Sequence, residues 1–407
     1  MFLLTRFAYR NLLRNWRRTL FTVCSLALGV SLSIWTDNIT KGRADDIVEA
    51  VTSTYVGHYQ VSTPAFRKDE LIRDFMTPEQ AAGFKNDFSA PRIHFASLLS
   101  SGENSMPIQL DGIDPEGENK ITKLKDRLTR GEYLSQTSEC EDREILISEE
   151  QAEKLNVDLG AKLVIVGPAT DGTLGNDLFR VKGIYKTDSK NFDKRVSFAH
   201  HNCVAATGMV GGPHEIVFGL PPGMDPEKLE ATLKTQAQTQ GLQLTSWKES
   251  VPQLYSIVRF SRALHNAINF ILFLMISIGI VNVMMMTVFE RTREFGVMSA
   301  LGTKSRQVVN LVLFETIGIA VIGLIAGSII GSAIVIYHHF YGFDLHVFLG
   351  DQHSAGDFSL AMVVYPKLSL LSILKSSLIT VCFMLVAGFY PALRASKLTP
   401  IEAMRTL

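Results

Sequence analysis

The sequence predicts an α-helical membrane protein with four transmembrane helices and one large α+β domain outside the membrane. Long uncharged stretches lie near the two ends of the 407-residue chain, whereas an ordinary charged sequence fills the middle. Length alone allows two or three domains. The 40 basic and 40 acidic residues balance each other, so net charge gives no reason to expect nucleic acid as a partner.

Four stretches reach the length of about 20 mostly apolar residues that a helix needs to cross a bilayer. They occupy residues 19–37, 266–289, 307–337 and 368–393. The first also resembles a signal peptide, but no small-x-small cleavage site follows Trp35. Glu315 in the third predicts a polar partner or water, and Lys375 in the fourth is expected to reach the outer interface. Their different depths argue against an ion pair between them.

The basic residues of the loops predict the orientation. Arginine is abundant before the first segment, and Arg291, Arg293, Lys304 and Arg306 lie between the second and third. The positive-inside rule therefore places both termini and the loop 290–306 in the cytoplasm. The domain of residues 38–265 and the loop 338–367 lie outside, and a cytoplasmic tail covers 394–407.

Residues 1–18 predict an amphipathic helix on the inner membrane surface. Arg6, Arg10, Arg14 and Arg18 form one row at i,i+4 spacing, and apolar residues form another row on nearly the opposite side. Such a helix lies in the interface with its arginines toward headgroups and cytosol. The alternative is that these arginines only orient the protein.

The external domain alternates short β-like runs with helix signals, which predicts a mixed α+β module. Ser148 and Gln151 fit a capping box that opens a short helix ending at Leu155. The remaining expected elements are strands over 55–61, 162–166, 179–185 and 215–220, turns at 167–168 and 171–172, and a helix over 225–240.

Side chains that could carry chemistry are few, and the sequence predicts neither a catalytic residue nor a metal site. His200, His201, Cys203 and His214 do not have zinc-site spacing. A wetted interfacial loop explains the group His338, His339, His346 and His353. No Walker A or hydrolase motif is present. Cys140 and Cys203 lie on the oxidising side and are able to form a disulfide, which the sequence leaves open.

The third apolar segment carries a row of small residues. Gly323, Gly327 and Gly331 repeat every four residues. Small residues at this spacing allow two membrane helices to approach closely. The alternative to a functional role is a tight helix contact without movement.

The cytoplasmic loop contains the most specific stretch of the chain, ERTREFGVMSALG at residues 290–302. Phe295, Met298 and Leu301 recur at helical spacing, and Gly302 supplies a stop. A short amphipathic helix at the membrane face predicts a partner surface. The alternative is a plain membrane-associated turn.

This stretch resembles the signature of the FtsX-like permeases, the membrane subunits of MacB-type ABC transporters. The C-terminal run YPALRASKLTPIEAMR at 390–405 is similar to the family's ending, with Met404 in place of the usual leucine. RNLLRN at 10–15 also matches. Within the family, pieces such as GHYQV at 57–61 and LDGIDPE at 110–116 look most like the lipoprotein-releasing LolC/LolE branch.

The resemblance implies a dimer whose protomers each have four membrane helices and a MacB-like periplasmic core domain. The chain holds no cofactor, and ATP and Mg are bound by a separate ABC ATPase on the cytoplasmic side. The residues expected to couple to that ATPase are Glu290, Arg291, Arg293, Glu294, Phe295, Gly296, Met298, Leu301 and Gly302. ATP-driven movement then passes through the membrane helices to the periplasmic domain, which is mechanotransmission.

The resemblance places the protein in a bacterial inner membrane among lipids, with an identical or paralogous second permease. The preferred cargo is a lipoprotein or other lipidated substrate handed over at the periplasmic side. Three alternatives stay open: export of a drug, peptide or toxin through a periplasmic adaptor, signalling to a cell-wall hydrolase, and a membrane receptor or enzyme without an ATPase.

Overall fold

A computed structural model describes residues 16–136, 140, 143–187, 189–344, 354–355, 358–359 and 363–397. The helices are α1 (Trp16–Val51), α2 (Pro64–Asp69), α3 (Pro78–Ala82), α4 (Pro115–Ile121), α5 (Glu149–Leu155), α6 (Lys190–Arg195), α7 (His201–Gly208), α8 (Pro226–Thr239), α9 (Trp247–Ser250), α10 (Pro252–Glu290), α11 (Thr292–Ala300), α12 (Ser305–Tyr341) and α13 (Leu370–Ser396), with a π-helical turn at Thr52–Val56 and a 3₁₀ turn at Lys125–Arg127. The strands are β1 (Tyr59–Ser62), β2 (Ser89–Ser100), β3 (Ser105–Ile113), β4 (Leu128–Gly131), β5 (Glu144–Ser148), β6 (Lys162–Pro168), β7 (Leu174–Tyr185), β8 (Val196–His200), β9 (Glu215–Phe218), β10 (Gln243–Ser246), β11 (Phe343–Asp344), β12 (Ser354–Ala355), β13 (Phe358–Ser359) and β14 (Val363–Val364).

The described chain divides into two compact units. The helical unit comprises residues 16–45, 258–344 and 363–397. The β-rich unit comprises residues 46–257 together with β12 and β13.

Four long helices, α1, α10, α12 and α13, build the helical unit. Each is long and apolar enough to cross a membrane by length and composition. Their common core includes Val30 of α1, Ile280 of α10, Ile319 of α12 and Met384 of α13. The helices extend past the predicted apolar segments, and α1 continues to Val51. Hydropathy marks only the apolar part of a helix, whereas backbone hydrogen bonds continue through its polar ends.

Six strands of the β-rich unit close into a barrel. Around the ring, β2 pairs with β3, β3 with β8, β8 with β5, β5 with β7, β7 with β6, and β6 with β2. The pairs β3–β8 and β5–β7 are parallel, and the other four are antiparallel. The interior includes Phe95, Leu110, Ile147 and Phe179, all fully buried. Closure leaves these strands without a free edge inside the ring.

Strand β2 belongs both to the barrel and to an extension of the same sheet. Its first residues, Ser89–Arg92, pair with β9, and its last, Leu98–Ser100, pair with β6. Beyond β9 the sheet continues to β1 and β10. A second core forms where Val61 and Phe218 of this extension pack with Leu233 of α8.

Several local predictions are confirmed in the β-rich unit. Ser148 caps α5, and Gln151 completes the capping box. The strands expected at 179–185 and 215–220 and the helix expected at 225–240 appear as β7, β9 and α8. Cys140 and Cys203 form a disulfide with a Cα–Cα distance of 5.4 Å, which settles the open alternative.

Two local predictions are wrong in part. Tyr55 and Val56 were expected in a strand, but they lie in the π-helical turn that follows α1. The Thr52 hydroxyl donates to the Val48 carbonyl in the last turn of α1 at 2.8 Å. The turn expected at 167–168 is part of β6, whereas the turn expected at 171–172 is confirmed, because the chain reverses at 169–173 and the Ala169 N–H donates to the Thr173 carbonyl.

Candidate coupling segment and buried ionic networks

The predicted coupling stretch folds into a short helix between two long ones. α11 begins two residues after α10 ends at Glu290. After α11, Gly302 adopts φ +89°, a conformation that favours glycine. The Leu301 and Thr303 amides bond to the last-turn carbonyls of Val297 and Met298. The stop predicted at Gly302 is therefore the C-terminal end of a helix.

One face of α11 is turned into the helical unit. Phe295 is 1% exposed and belongs to the common core, and Gly296 is also buried. Met298 is half-buried and packs against the same core. The chain's own long helices cover Phe295 fully and Met298 in part, which leaves less apolar surface than expected for a partner, and the coupling role of both residues stays a prediction.

Arg291 ties α11 to α12 from inside the unit. Its Nη1 donates to both carboxylate oxygens of Glu315, at 2.8 and 3.1 Å. Its Nε donates to Glu294 at 2.7 Å, and its guanidinium lies 5.1 Å from the ring centre of Phe295. The side chains of Arg291 and Glu315 are 7% and 6% exposed. The polar partner expected for Glu315 is therefore the arginine of the coupling stretch.

The opposite face of α11 is open. Glu290, Arg293 and Glu294 are exposed, and so is Val297. Leu301 is 82% exposed at the end of the helix. A charged surface with one exposed leucine is suited to binding a protein partner.

The predicted glycine row faces α1. A Cβ added at Gly323 would lie 2.4 Å from a Leu26 methyl group. At Gly327 it would lie 2.7 Å from Val30 and 2.8 Å from the Ala27 carbonyl, and Gly331 lies against Ser31 and Ile34 in the same way. Only a residue without a side chain permits this approach of two helices.

A second polar group joins three of the long helices. The His265 ring of α10 lies 3.2 Å from the Asp37 carboxylate of α1 and 2.7 Å from the Asn269 amide. Lys375 of α13 reaches to 4.0 Å from Asp37 and is half exposed. Lys375 thus has an acidic neighbour, and as expected this neighbour is not Glu315.

The β-rich unit contains a larger buried ionic network. Arg92 forms a two-pronged bond to Glu118 at 2.6 and 3.1 Å and lies 3.6 Å from Glu215. His94 contacts Asp111 at 2.7 Å and Glu215 at 3.2 Å. Five charged side chains thus converge from β2, β3, β9 and α4.

The pKa values of two histidines in this region are shifted in opposite directions. Burial opposes the charged ring of His94, but the carboxylates of Asp111 and Glu215 outweigh it and raise its pKa to about 10. Burial lowers the pKa of His214 to about 4. The neutral His214 ring accepts the His94 backbone N–H and donates to the Ile72 carbonyl. A charged and a neutral imidazole therefore lie side by side.

The sequence held a signal for this network. Arg92 and His94 alternate with Ile93 and Phe95 in a strand that is otherwise uncharged, so both charged side chains lie on one face. Their partners are far away in sequence, which hid the network.

Arg6, Arg10 and Arg14 lie outside the described residues, as do His346 and His353, and for Arg18 only the helical backbone is described. Cys203 is in the disulfide. Within the described part of the chain, no group of three or more His, Cys, Asp or Glu side chains is arranged to hold a metal ion.

Comparison with known families agrees with this architecture. A model of the FtsX-like permease C-terminal domain matches residues 266–400, and a model of the MacB-like periplasmic core domain matches residues 19–236. The chain therefore belongs to the FtsX/MacB family of ABC transporter permeases. It is a multi-pass membrane protein with a periplasmic-type α+β domain. It is itself a non-catalytic subunit, and membership of the family implies a partner ATPase.

Two kinds of relatives are similar to the chain over different lengths. The lipoprotein-releasing system transmembrane protein LolC of Neisseria meningitidis serogroup B is 22% identical over 408 residues, which is 95% of this chain and 94% of LolC. LolC of Xylella fastidiosa is 22% identical over 400 residues. The macrolide export ATP-binding/permease protein MacB of Campylobacter fetus is 39% identical over 124 residues, 30% of this chain and 16% of MacB.

Among solved structures, the periplasmic region of MacB from Actinobacillus actinomycetemcomitans covers 51% of this chain and 95% of its own, with a TM-score of 0.38 and 13% identity.

Proposed function

We propose that this chain is the inner-membrane permease subunit of a bacterial transporter that works by mechanotransmission. A separate ATPase binds ATP and Mg in the cytoplasm and presses on α11. The movement passes through the long helices and drives release of a lipoprotein or other lipidated substrate on the periplasmic side. A second permease, identical or paralogous, completes the assembly.

The two-faced structure of α11 is the observation that carries this proposal. Its inner face is fixed by the core side chain Phe295 and by the ion pair from Arg291 to Glu315. Its outer face presents Arg293 and Leu301. A helix that is fastened on one side and open on the other transmits a push instead of yielding to it, because the buried ion pair links it directly to α12.

The next step of the route is the contact between α12 and α1. Gly323, Gly327 and Gly331 bring these helices to backbone distance. Close packing makes the pair move as one body, since protein interiors resist compression. α1 then carries the movement along its 36 residues to Val51.

The lipidated cargo is supported by similarity to LolC, which extends over nearly the full length of both chains. Export in the manner of MacB is the second candidate, because the local identity to MacB is higher at 39%. Mass spectrometry of material that co-purifies with the native complex separates the two: a lipoprotein supports the first, and a periplasmic adaptor supports the second.

The experiment tests the outer face of α11. We expect the tagged wild-type chain to co-purify with an ATPase that mass spectrometry identifies. In the double variant Arg293→Glu and Leu301→Asn, the recovery of that ATPase should fall at least tenfold. Both side chains are exposed, so their replacement removes no packing from the helical unit.

The matched control makes two changes of the same kind elsewhere, a charge reversal and a Leu→Asn substitution. Lys162→Glu and Leu174→Asn also alter exposed side chains, with Leu174 at 73% exposure, but in the β-rich unit. This variant should recover the ATPase like the wild type. Full recovery by the α11 variant would show that α11 is not the coupling element, and a wild-type chain without any ATPase would refute the proposed function.

A further inference from the structure

The chain between α1 and β1 has an unusual local geometry. After Val51 the helix continues as the π-helical turn. The Gly57 N–H donates to the Thr52 carbonyl at 3.1 Å and ends this turn. π-Helical turns are rare and occur often at functional sites. Gly57 has φ +66°, and a Cβ there would lie 2.2 Å from a Val217 methyl group. The turn places Tyr55 one residue before its end.

The backbone after this turn continues into β1, in the part of the β-rich unit outside the barrel. β1 lies between β9 and β10 and is hydrogen-bonded to both. This first attachment joins the end of α1 to the sheet that packs on α8.

The side chain of Tyr55 contacts two strands of the barrel instead. Its hydroxyl donates to Asp111 of β3 at 2.6 Å, and its ring lies 4.5 Å from the guanidinium carbon of Arg92 of β2. The Ser53 carbonyl adds a bond from the Lys123 N–H at 2.6 Å. This second attachment joins the same turn to the barrel.

The tyrosine hydroxyl adds a hydrogen-bond donor to a network that carries an excess of negative charge. Arg92 and His94 supply two positive charges, and Asp111, Glu118 and Glu215 supply three negative ones. Asp111 is fully buried, with His94 bound to one oxygen and Tyr55 to the other. Without the tyrosine O–H, the second oxygen would lose this donor in a site that water does not reach.

We infer that Tyr55 is a positioning residue that clamps the end of α1 to the barrel. Its hydroxyl fixes the helix end to β3 through Asp111, while β1 fixes it to β9 and β10. Movement of α1 therefore reaches both parts of the β-rich unit together. This inference rests on the proposed mechanotransmission and names the joint at which it enters the periplasmic domain.

Hydrogen exchange in the purified complex with the co-purified ATPase tests the clamp. In the wild type, trapping the ATPase with ATP and vanadate should change exchange in peptides covering residues 105–121 of β3 and α4. In Tyr55→Phe, which removes one oxygen atom, the ATPase should still be recovered and should hydrolyse ATP within twofold of the wild-type rate. The nucleotide-dependent change in residues 105–121 should fall at least threefold.

Tyr185→Phe is the matched control. Tyr185 lies in the same unit and is fully buried, whereas Tyr55 is half-buried, and the Tyr185 hydroxyl donates to the Val196 carbonyl at 2.6 Å instead of binding the network. This variant should keep the wild-type response. Asp111→Asn, which weakens the bond to Tyr55 from the other side, should behave like Tyr55→Phe and replaces it if that variant does not fold.

Three results are decisive. A wild-type response in Tyr55→Phe would overturn the clamp. An equal loss in Tyr185→Phe would also overturn it, because the effect would then report general loss of stability. A wild-type complex that shows no nucleotide-dependent change in the β-rich unit would refute mechanotransmission itself, and the clamp with it.

Discussion

The helical unit and the β-rich unit both bury ionic groups, but they do so on different scales. In the helical unit Arg291 binds Glu315, with one further bond to Glu294 at the edge. In the β-rich unit Arg92 belongs to a network of five charged side chains. The first is a single link between a short helix and a long one. The second holds three strands and a helix in register around one point.

This difference teaches where each unit tolerates change. Buried ion pairs add little net stability compared with apolar packing, but loss of one partner is costly because a charge remains unpaired. A single link fails locally. In a network, loss of one member also weakens the hydrogen bonds and charge pairs of the others. We therefore expect the β-rich unit to respond more strongly to loss of its arginine than the helical unit responds to loss of its glutamate.

The largest effect is expected for Arg92→Leu. This change leaves Glu118 and Glu215 buried with less compensating charge, and loss of a buried partner costs about 3–5 kcal/mol. Denaturant unfolding of the detergent-solubilised chain measures the loss. Arg130→Leu is the control, because Arg130 forms an exposed ion pair with Asp158 that is worth about 1 kcal/mol or less. Equal losses in the two variants would contradict the comparison.

Glu315→Gln should have an intermediate effect. Arg291 keeps its bond to Glu294, and the new amide still accepts one hydrogen bond, so we expect a loss of about 1.5–3 kcal/mol. The same unfolding measurement applies. Lys375→Gln serves as control in another long helix, because its contact with Asp37 is long and half exposed. If Glu315→Gln is as mild as this control, the link from α11 to α12 is not the fastening that we describe.

The smallest effect is a pH dependence of stability in the β-rich unit. The pKa of His214 is lowered to about 4, so its contribution is complete above the unfolded value of 6.5 and is lost as pH falls toward 4. The pKa of His94 is raised to about 10, so its contribution is complete below 6.5 and is lost as pH rises toward 10. Stability should therefore be highest near pH 6.5.

Each limb should have a slope below about 1.4 kcal/mol per pH unit, the limit for one proton. Unfolding of the wild type at about pH 5, 6.5 and 8 measures both limbs. His214→Gln should flatten only the acidic limb, and His94→Gln only the alkaline one. An acidic limb that survives in His214→Gln would assign it to the carboxylates instead.

Much of the fold could be predicted because it depends on local pattern. Apolar length gives the four helices, and a capping box gives the start of α5. The close contact expected at Gly327 follows from spacing alone. The pair of Arg291 and Glu315 could not be predicted, since the two residues are 24 positions apart and meet only through tertiary structure.

The same limit explains the missed parts of the candidate site. Phe295 fits an exposed apolar stripe in the sequence, but the assembled helices cover it. Tyr55 has high strand propensity, but it lies in a π-helical turn because the helix before it continues. In both cases tertiary contacts decide between two local structures that the sequence alone allows.

The double membership of β2 restricts how this domain can change in length. Side chains alternate along a strand, so one residue gained or lost between positions 93 and 97 would rotate Leu99 out of the barrel or Arg92 out of its network. Insertions and deletions in homologous sequences should therefore accumulate in hairpin tips, such as residues 101–104, and spare this strand.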